Sequence, residues 1–130
     1  MTEDVPTTVA PWISVPDGTR AVAFFEAAFG AQMRHGFEDD EGRVQVARLA
    51  VGEAEFWISE DRDAQVPADG GTIRMILTVP DPDGWFERAI AAGATEVAAV
   101  YEGHGWRVGR LADPFGHHWE IGTPIGPWPP

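Results

Sequence analysis

The tripeptide Val15-Pro16-Asp17 returns 64 residues later as Val79-Pro80-Asp81, Gly30-Ala31 returns at an offset of 63 as Gly93-Ala94, and Arg48-Leu49-Ala50 returns at 62 as Arg110-Leu111-Ala112. Each match alone is weak, but three in the same order with a slowly drifting offset point to duplication. The chain reads as two copies of one module.

Both copies carry the same local pattern. Trp12 to Val15 and Ile73 to Val79 are apolar, β-branched runs stopped by Pro-Asp, the mark of a strand followed by a turn. A helix follows in each. In the first, Asp17 or Thr19 can cap, Ala21, Phe24, Phe25, Ala28 and Phe29 fall at helical spacing, and Gly30 ends the helix. In the second, Asp81 or Asp83 caps, Trp85, Phe86, Ala89 and Ile90 recur at helical spacing, and Gly93 terminates. Three strand-like stretches come next: Gln32 to Phe37, Arg43 to Val51 and Ala54 to Ser59, then Glu96 to Tyr101, Trp106 to Ala112 and His117 to Thr123. Tight-turn sequences separate them, notably Asp39-Asp40-Glu41-Gly42 and Asp113-Pro114-Phe115-Gly116.

The expected fold class is therefore α+β, with two tandem βαβββ modules. Each helix must cover one face of a four-stranded sheet, which leaves the other face free. Side by side, the modules would form a curved eight-stranded mixed sheet whose open face makes a ligand trough. The chain is expected to be a single domain over 1–130, with module one at 10–60, an acidic Pro- and Gly-containing linker at 60–72, module two at 73–123 and a C-terminal arm at 124–130. Met1 to Thr8 reads as a second arm, and Trp128 as a residue that pins the C-terminal one.

Composition narrows the function. The 130 residues are 44% hydrophobic and 23% charged, ordinary for one globular domain. Twenty-one acidic residues against nine arginines and no lysine give a net charge of −12, which disfavours nucleic acid and anionic membranes as partners and suits a neutral or cationic small molecule. The absence of cysteine removes disulfides, Cys-based metal centres and thiol nucleophiles, and is consistent with the cytoplasm. Met1 to Pro11 lacks a basic-then-apolar signal pattern, and no run approaches the ~18 apolar residues of a membrane span.

The segments Val15-Pro16-Asp17, Ala23-Phe24-Phe25, Phe29-Gly30-Ala31 and Asp113-Pro114-Phe115-Gly116-His117-His118-Trp119-Glu120-Ile121 together resemble the vicinal oxygen chelate superfamily, the group of glyoxalases, bleomycin-resistance proteins and extradiol dioxygenases. The likeness spans about Pro11 to Thr123 and is closest to the small single-chain members. It implies the glyoxalase/bleomycin-resistance fold and a homodimer. Its chemistry is not implied, since one fold hosts isomerases, dioxygenases, transferases and plain binders.

In metal-dependent members the resemblance implies up to four ligands, one in each module's first strand, seven residues before the Asp, and one in each last strand. Glu120 occupies one such position. The other three hold Ala10, Arg74 and Trp57, which offer respectively no donor, a fixed cation and an indole N–H. A divalent metal needs several converging His or carboxylate ligands, so an Arg74–Glu120 ion pair is the expected occupant. A weaker alternative is a divalent metal ion held by Glu120, His118 and His104, the first two lying two apart on one strand face. For His117 and His118 the plainer expectation is one solvated turn-end residue and one bonded within the sheet.

Six tryptophans are many for this length. Trp85 and Trp119 read as core. Trp12, Trp57 and His118 share the parity that faces the trough, and aromatic walls suit flat or cationic ligands. The candidate ligand-binding set is Trp12, Trp57, Arg74, Trp106, His118 and Glu120. No catalytic residue is assigned: Ser14 and Ser59 lack a nucleophile elbow, and Gly103, Gly105 and Gly109 lack the helix and lysine of a phosphate loop. The expectation is a small-molecule binder without a cofactor, the alternative a metal-dependent lyase, isomerase or dioxygenase of the glyoxalase class.

Overall fold

A computed structural model describes residues 5–127. Trp128, expected to pin the C-terminal arm, lies outside the described residues. Ten elements follow in order: β1 (Trp12–Val15), α1 (Gly18–Phe29), β2 (Gln32–Glu38), β3 (Val44–Val51), β4 (Ala54–Glu60), β5 (Met75–Thr78), α2 (Pro82–Ala92), β6 (Thr95–Gly103), β7 (Trp106–Ala112) and β8 (His118–Pro124). The eight strands make two four-stranded mixed sheets in the orders β1-β4-β3-β2 and β5-β8-β7-β6, with the first pair parallel in each. This is the βαβββ arrangement twice over, and each sheet keeps an open face of its own.

The caps fall where side-chain chemistry puts them. Asp17 accepts the Arg20 N–H and Asp81 accepts the Gly84 N–H, each satisfying a donor that the first helical turn leaves free. Thr19 and Asp83, the other capping candidates, are used elsewhere: Thr19 Oγ1 accepts the Val44 N–H at 3.0 Å, and Asp83 holds Arg107 through two bonds of 2.7 Å. Gly30, at φ 66, closes α1 in the left-handed conformation.

Several strand limits differ from the sequence reading by one or two residues, and three of the shifts have a visible cause. β5 opens at Met75, not Ile73, because its parallel ladder begins at the Met75–Trp119 pair, leaving Ile73 exposed and Arg74 just ahead of the strand. β6 runs on to Gly103 because the hairpin to β7 closes in two residues. His104 and Gly105 there have φ of 55 and 79, both positive as the twist of a tight hairpin requires. β8 begins at His118, since the Asp113 carboxylate and backbone still hold the preceding turn.

One core joins the modules. Trp119 of β8 packs its ring against Phe25, Phe29 and Phe56 of module one at centroid distances of 5.0–5.5 Å. Phe25 and Phe29 are almost fully buried, and each such side chain contributes roughly 1.5–3 kcal/mol by leaving water. Two polar bridges fix the arrangement. Arg88 of α2 donates to the Ala27 carbonyl at 2.8 Å, supplying a cation to the C-terminal end of α1. The His117 ring bonds the Ser14 carbonyl of β1 at 2.8 Å through Nε2.

Candidate functional site

Cross-strand register decides which side chains share the open face of the second sheet. Ile76 pairs with Glu120, Glu120 with Arg110, Gly122 with Val108, and Val108 with Tyr101. Trp119 and Ile121, of opposite parity, enter the core. A cavity of about 320 Å³ lies on this face, walled by Ile76, Tyr101, Trp106 and Val108, with Glu120 at one side and His104 at its margin. Gly103 and Gly122 line it as well. A Cβ on Gly122 would lie 3.0 Å from both the Arg107 carbonyl and Val108 Cβ, so the backbone there stays bare.

Charge is concentrated beside Glu120. Arg74 Nη1 donates to Glu120 Oε2 at 2.9 Å, with the arginine side chain half-exposed and the carboxylate less so. Arg110 Nε donates to His118 Nδ1 at 2.9 Å, which fixes the neutral His118 ring with its proton on Nε2. Burial, and then the arginines at 110 and 74, pull the His118 pKa below the ordinary histidine value. Segment 61–72 covers that ring: a Cβ on Gly70 would sit 2.4 Å from the imidazole, and Arg110 Nη2 reaches the Asp69 carbonyl at 3.1 Å.

The six candidate residues thus divide. Trp106 and Glu120 line one cavity, and Arg74 joins them through its ion pair. His118 stands next to them in register but is only 5% exposed, a structural partner of Arg110 and the linker. Trp12 and Trp57 belong to the other sheet, stacked at 6.0 Å, with Arg48 over Trp57 and the Trp12 indole N–H bonded to Ser59. They are no part of the module-two cavity. Neither His117 nor His118 is the solvated turn-end residue expected of one of them, since the His117 ring too is half-buried, against β1.

The donors around Glu120 do not fit a divalent metal. Glu120 gives one oxygen to Arg74, His118 gives Nδ1 to Arg110, and among the described residues no three of His, Asp and Glu converge as a metal-holding group. The alternative set of Glu120, His118 and His104 is therefore not assembled. Among residues the sequence left unassigned, Ile76, Val108 and Tyr101 form cavity walls, and Arg110 holds His118. Strand parity could have found Val108 and Arg110, which lie two and four residues beyond Trp106 on β7. It could not have found Tyr101, because β6 carries register shifts on either side of Ala98.

Two βαβββ units sharing a core, each with one helix-covered and one open face, define a glyoxalase/bleomycin-resistance fold. The sequence model of the glyoxalase-like domain matches residues 10–122, and the chain belongs to that family, within the vicinal oxygen chelate superfamily. Rv0887c of Mycobacterium tuberculosis is 34% identical over 135 residues, covering 96% of this chain and 79% of that one. TioX from Micromonospora sp. ML1 superposes with a TM-score of 0.74 at 25% identity, covering 92% of this chain and all of TioX. The fosfomycin resistance protein FosX from Listeria monocytogenes shares the fold, with a TM-score of 0.72 at 16% identity over 95% of this chain and 96% of FosX. A variant of that FosX has been crystallised with Mn(II) and a dihydroxypropylphosphonic acid. No helix among the described residues is long and apolar enough to cross a membrane.

Proposed function

We propose that this chain is a metal-independent binder of small, flat, drug-like molecules, taken up on the open face of module two. The observation that carries this reading is the 320 Å³ cavity with aliphatic and aromatic walls and a single ion pair at its side. That is the composition of a ligand pocket, mostly apolar with a few placed polar groups, and it lies at the small end of the usual size range. The working unit is a homodimer. Trp12 and Phe37 on one open face, and Ile76 and Tyr101 on the other, are each more than half exposed, an apolar surface that association would cover.

A second reading, a divalent-metal-dependent lyase, isomerase or dioxygenase, draws support from the Mn(II)-bound FosX relative of the same fold. The Arg74–Glu120 pair speaks against it, because a fixed cation 2.9 Å from the one carboxylate lining the cavity among the described residues repels a divalent ion. Native mass spectrometry before and after incubation with Mn, Fe, Co, Ni and Zn ions, followed by desalting, separates the two and reports the oligomer. The binder reading expects a dimer that retains no metal. A stoichiometric metal lost in Glu120→Ala would refute that reading and direct the search to glyoxalase-type and ring-cleavage substrates.

A further inference from the structure

The cavity's polar edge carries more information than its walls. Arg74 uses one N–H group on Glu120 Oε2, and its remaining N–H groups have no partner among the described residues. Glu120 Oε1 is equally without one. Glu120 lines the cavity and Arg74 stands beside it through their hydrogen bond, so the pair offers a free acceptor at the cavity and a free donor next to it, with no net charge between them. A cationic ligand that reached Glu120 would meet the Arg74 guanidinium beside it, and an anionic one that reached Arg74 would meet the Glu120 carboxylate. The chain's charge of −12 further repels anions, and the apolar walls penalise any strongly hydrated ion. A neutral molecule with an N–H next to a C=O answers both groups at once, through two charge-assisted hydrogen bonds.

The walls set the shape of the remainder. Tyr101 and Trp106 supply aromatic surface, Ile76 and Val108 supply aliphatic surface, and Gly122 adds backbone without a side chain. A planar ring system fits such a slot, and the volume limits it to about one or two fused rings. We infer that this site selects neutral planar cyclic amides (lactams, imides or cyclic ureas), whose N–H donates to Glu120 and whose carbonyl accepts from Arg74. The inference rests on the binder reading and narrows its ligand from drug-like molecules of any charge to one edge chemistry.

The test uses the full chain and four bicyclic probes of similar size: carbostyril, its N-methyl derivative, the N-methylquinolinium cation and the quinaldate anion. Amide and indole chemical shifts are followed through each titration. Carbostyril should shift Ile76, Tyr101, Trp106 and Gly122 and bind at least about tenfold more tightly than the N-methyl derivative, which lacks the donor. In the double variant Arg74→Ala/Glu120→Ala, both neutral probes should still bind while that preference vanishes. A purely steric effect of the methyl group would persist there and would overturn the inference. Unchanged shifts across the Trp119 core establish that the variant is folded. Equal binding of all four probes, or tighter binding of either ion, would overturn the lactam assignment and leave the binder reading standing. Failure of every probe to perturb the cavity residues would overturn both.

Discussion

Asp113 is the most informative residue to remove. It is 3% exposed and sits in the turn between β7 and β8, where Oδ1 accepts the N–H groups of Phe115 and His117 and Oδ2 accepts the Trp119 indole N–H, all at 3.0 Å. Each donor left unsatisfied by Asp113→Ala would cost roughly 1–3 kcal/mol. Two considerations reduce the total. Phe115 and His117 are half-buried, so water can reach their N–H groups once the carboxylate is gone. Burial already pushes the Asp113 carboxyl above the ordinary carboxylate range, so truncation also relieves a desolvation penalty. The net loss should be about 3 kcal/mol, dominated by the buried indole. That is a large part of the ~5–15 kcal/mol typical of a domain and corresponds to a fall in Tm of roughly 10 °C.

Urea unfolding followed by tryptophan fluorescence measures this loss, and a double-mutant cycle locates it. Asp113→Asn keeps an oxygen for the two backbone donors but turns an NH2 toward the indole N–H, so it should be damaging in the wild-type background and mild when combined with Trp119→Phe. A loss below about 1 kcal/mol for Asp113→Ala would refute the reasoning, as would equal effects of Asp113→Asn in both backgrounds.

Further outcomes follow from groups whose environments differ between the folded and unfolded chain. The folded His118 pKa lies below its unfolded value near 6.5, so the unfolded state takes up the proton first. Stability should be full above that pH and decline as pH falls toward the folded value, and His118→Asn should flatten the slope in urea midpoints measured across that window. Glu60, which accepts from the Gly18 N–H and Arg43, is held below the usual carboxylate range, so its stabilisation is present above pH ~4.3 and lost as pH falls through the folded value. Glu60→Gln should reduce that acid sensitivity in the same assay. Gly70→Ala would set a Cβ against the His118 ring at a backbone φ of 88, and should displace segment 61–72, read as faster amide hydrogen exchange there.

How far the sequence reached follows from which physical signal each feature carried. The order of elements along the chain, both helices and the short list of their caps were legible because periodicity and capping are local, and the duplication checked each copy against the other. The Arg74–Glu120 contact was legible because the resemblance marks both as positions where metal ligands converge in metal-dependent members, and the clash of Arg with a metal ligand set needs no coordinates. The burial of His118 was not legible, for the opposite reason. Parity places it on the open face, but it is buried by Gly70 and Asp69, which lie almost fifty residues away in a linker without periodicity. Tyr101 was hidden by the register shifts of β6, since a bulge breaks the alternation from which facing is inferred. Trp12 and Trp57 share the facing of the cavity residues but sit on a separate sheet, because parity within a module says nothing about how two modules divide one open surface. The edge chemistry of the cavity is of this last kind: it depends on which atoms of an ion pair remain unbonded, and only three-dimensional neighbours determine that.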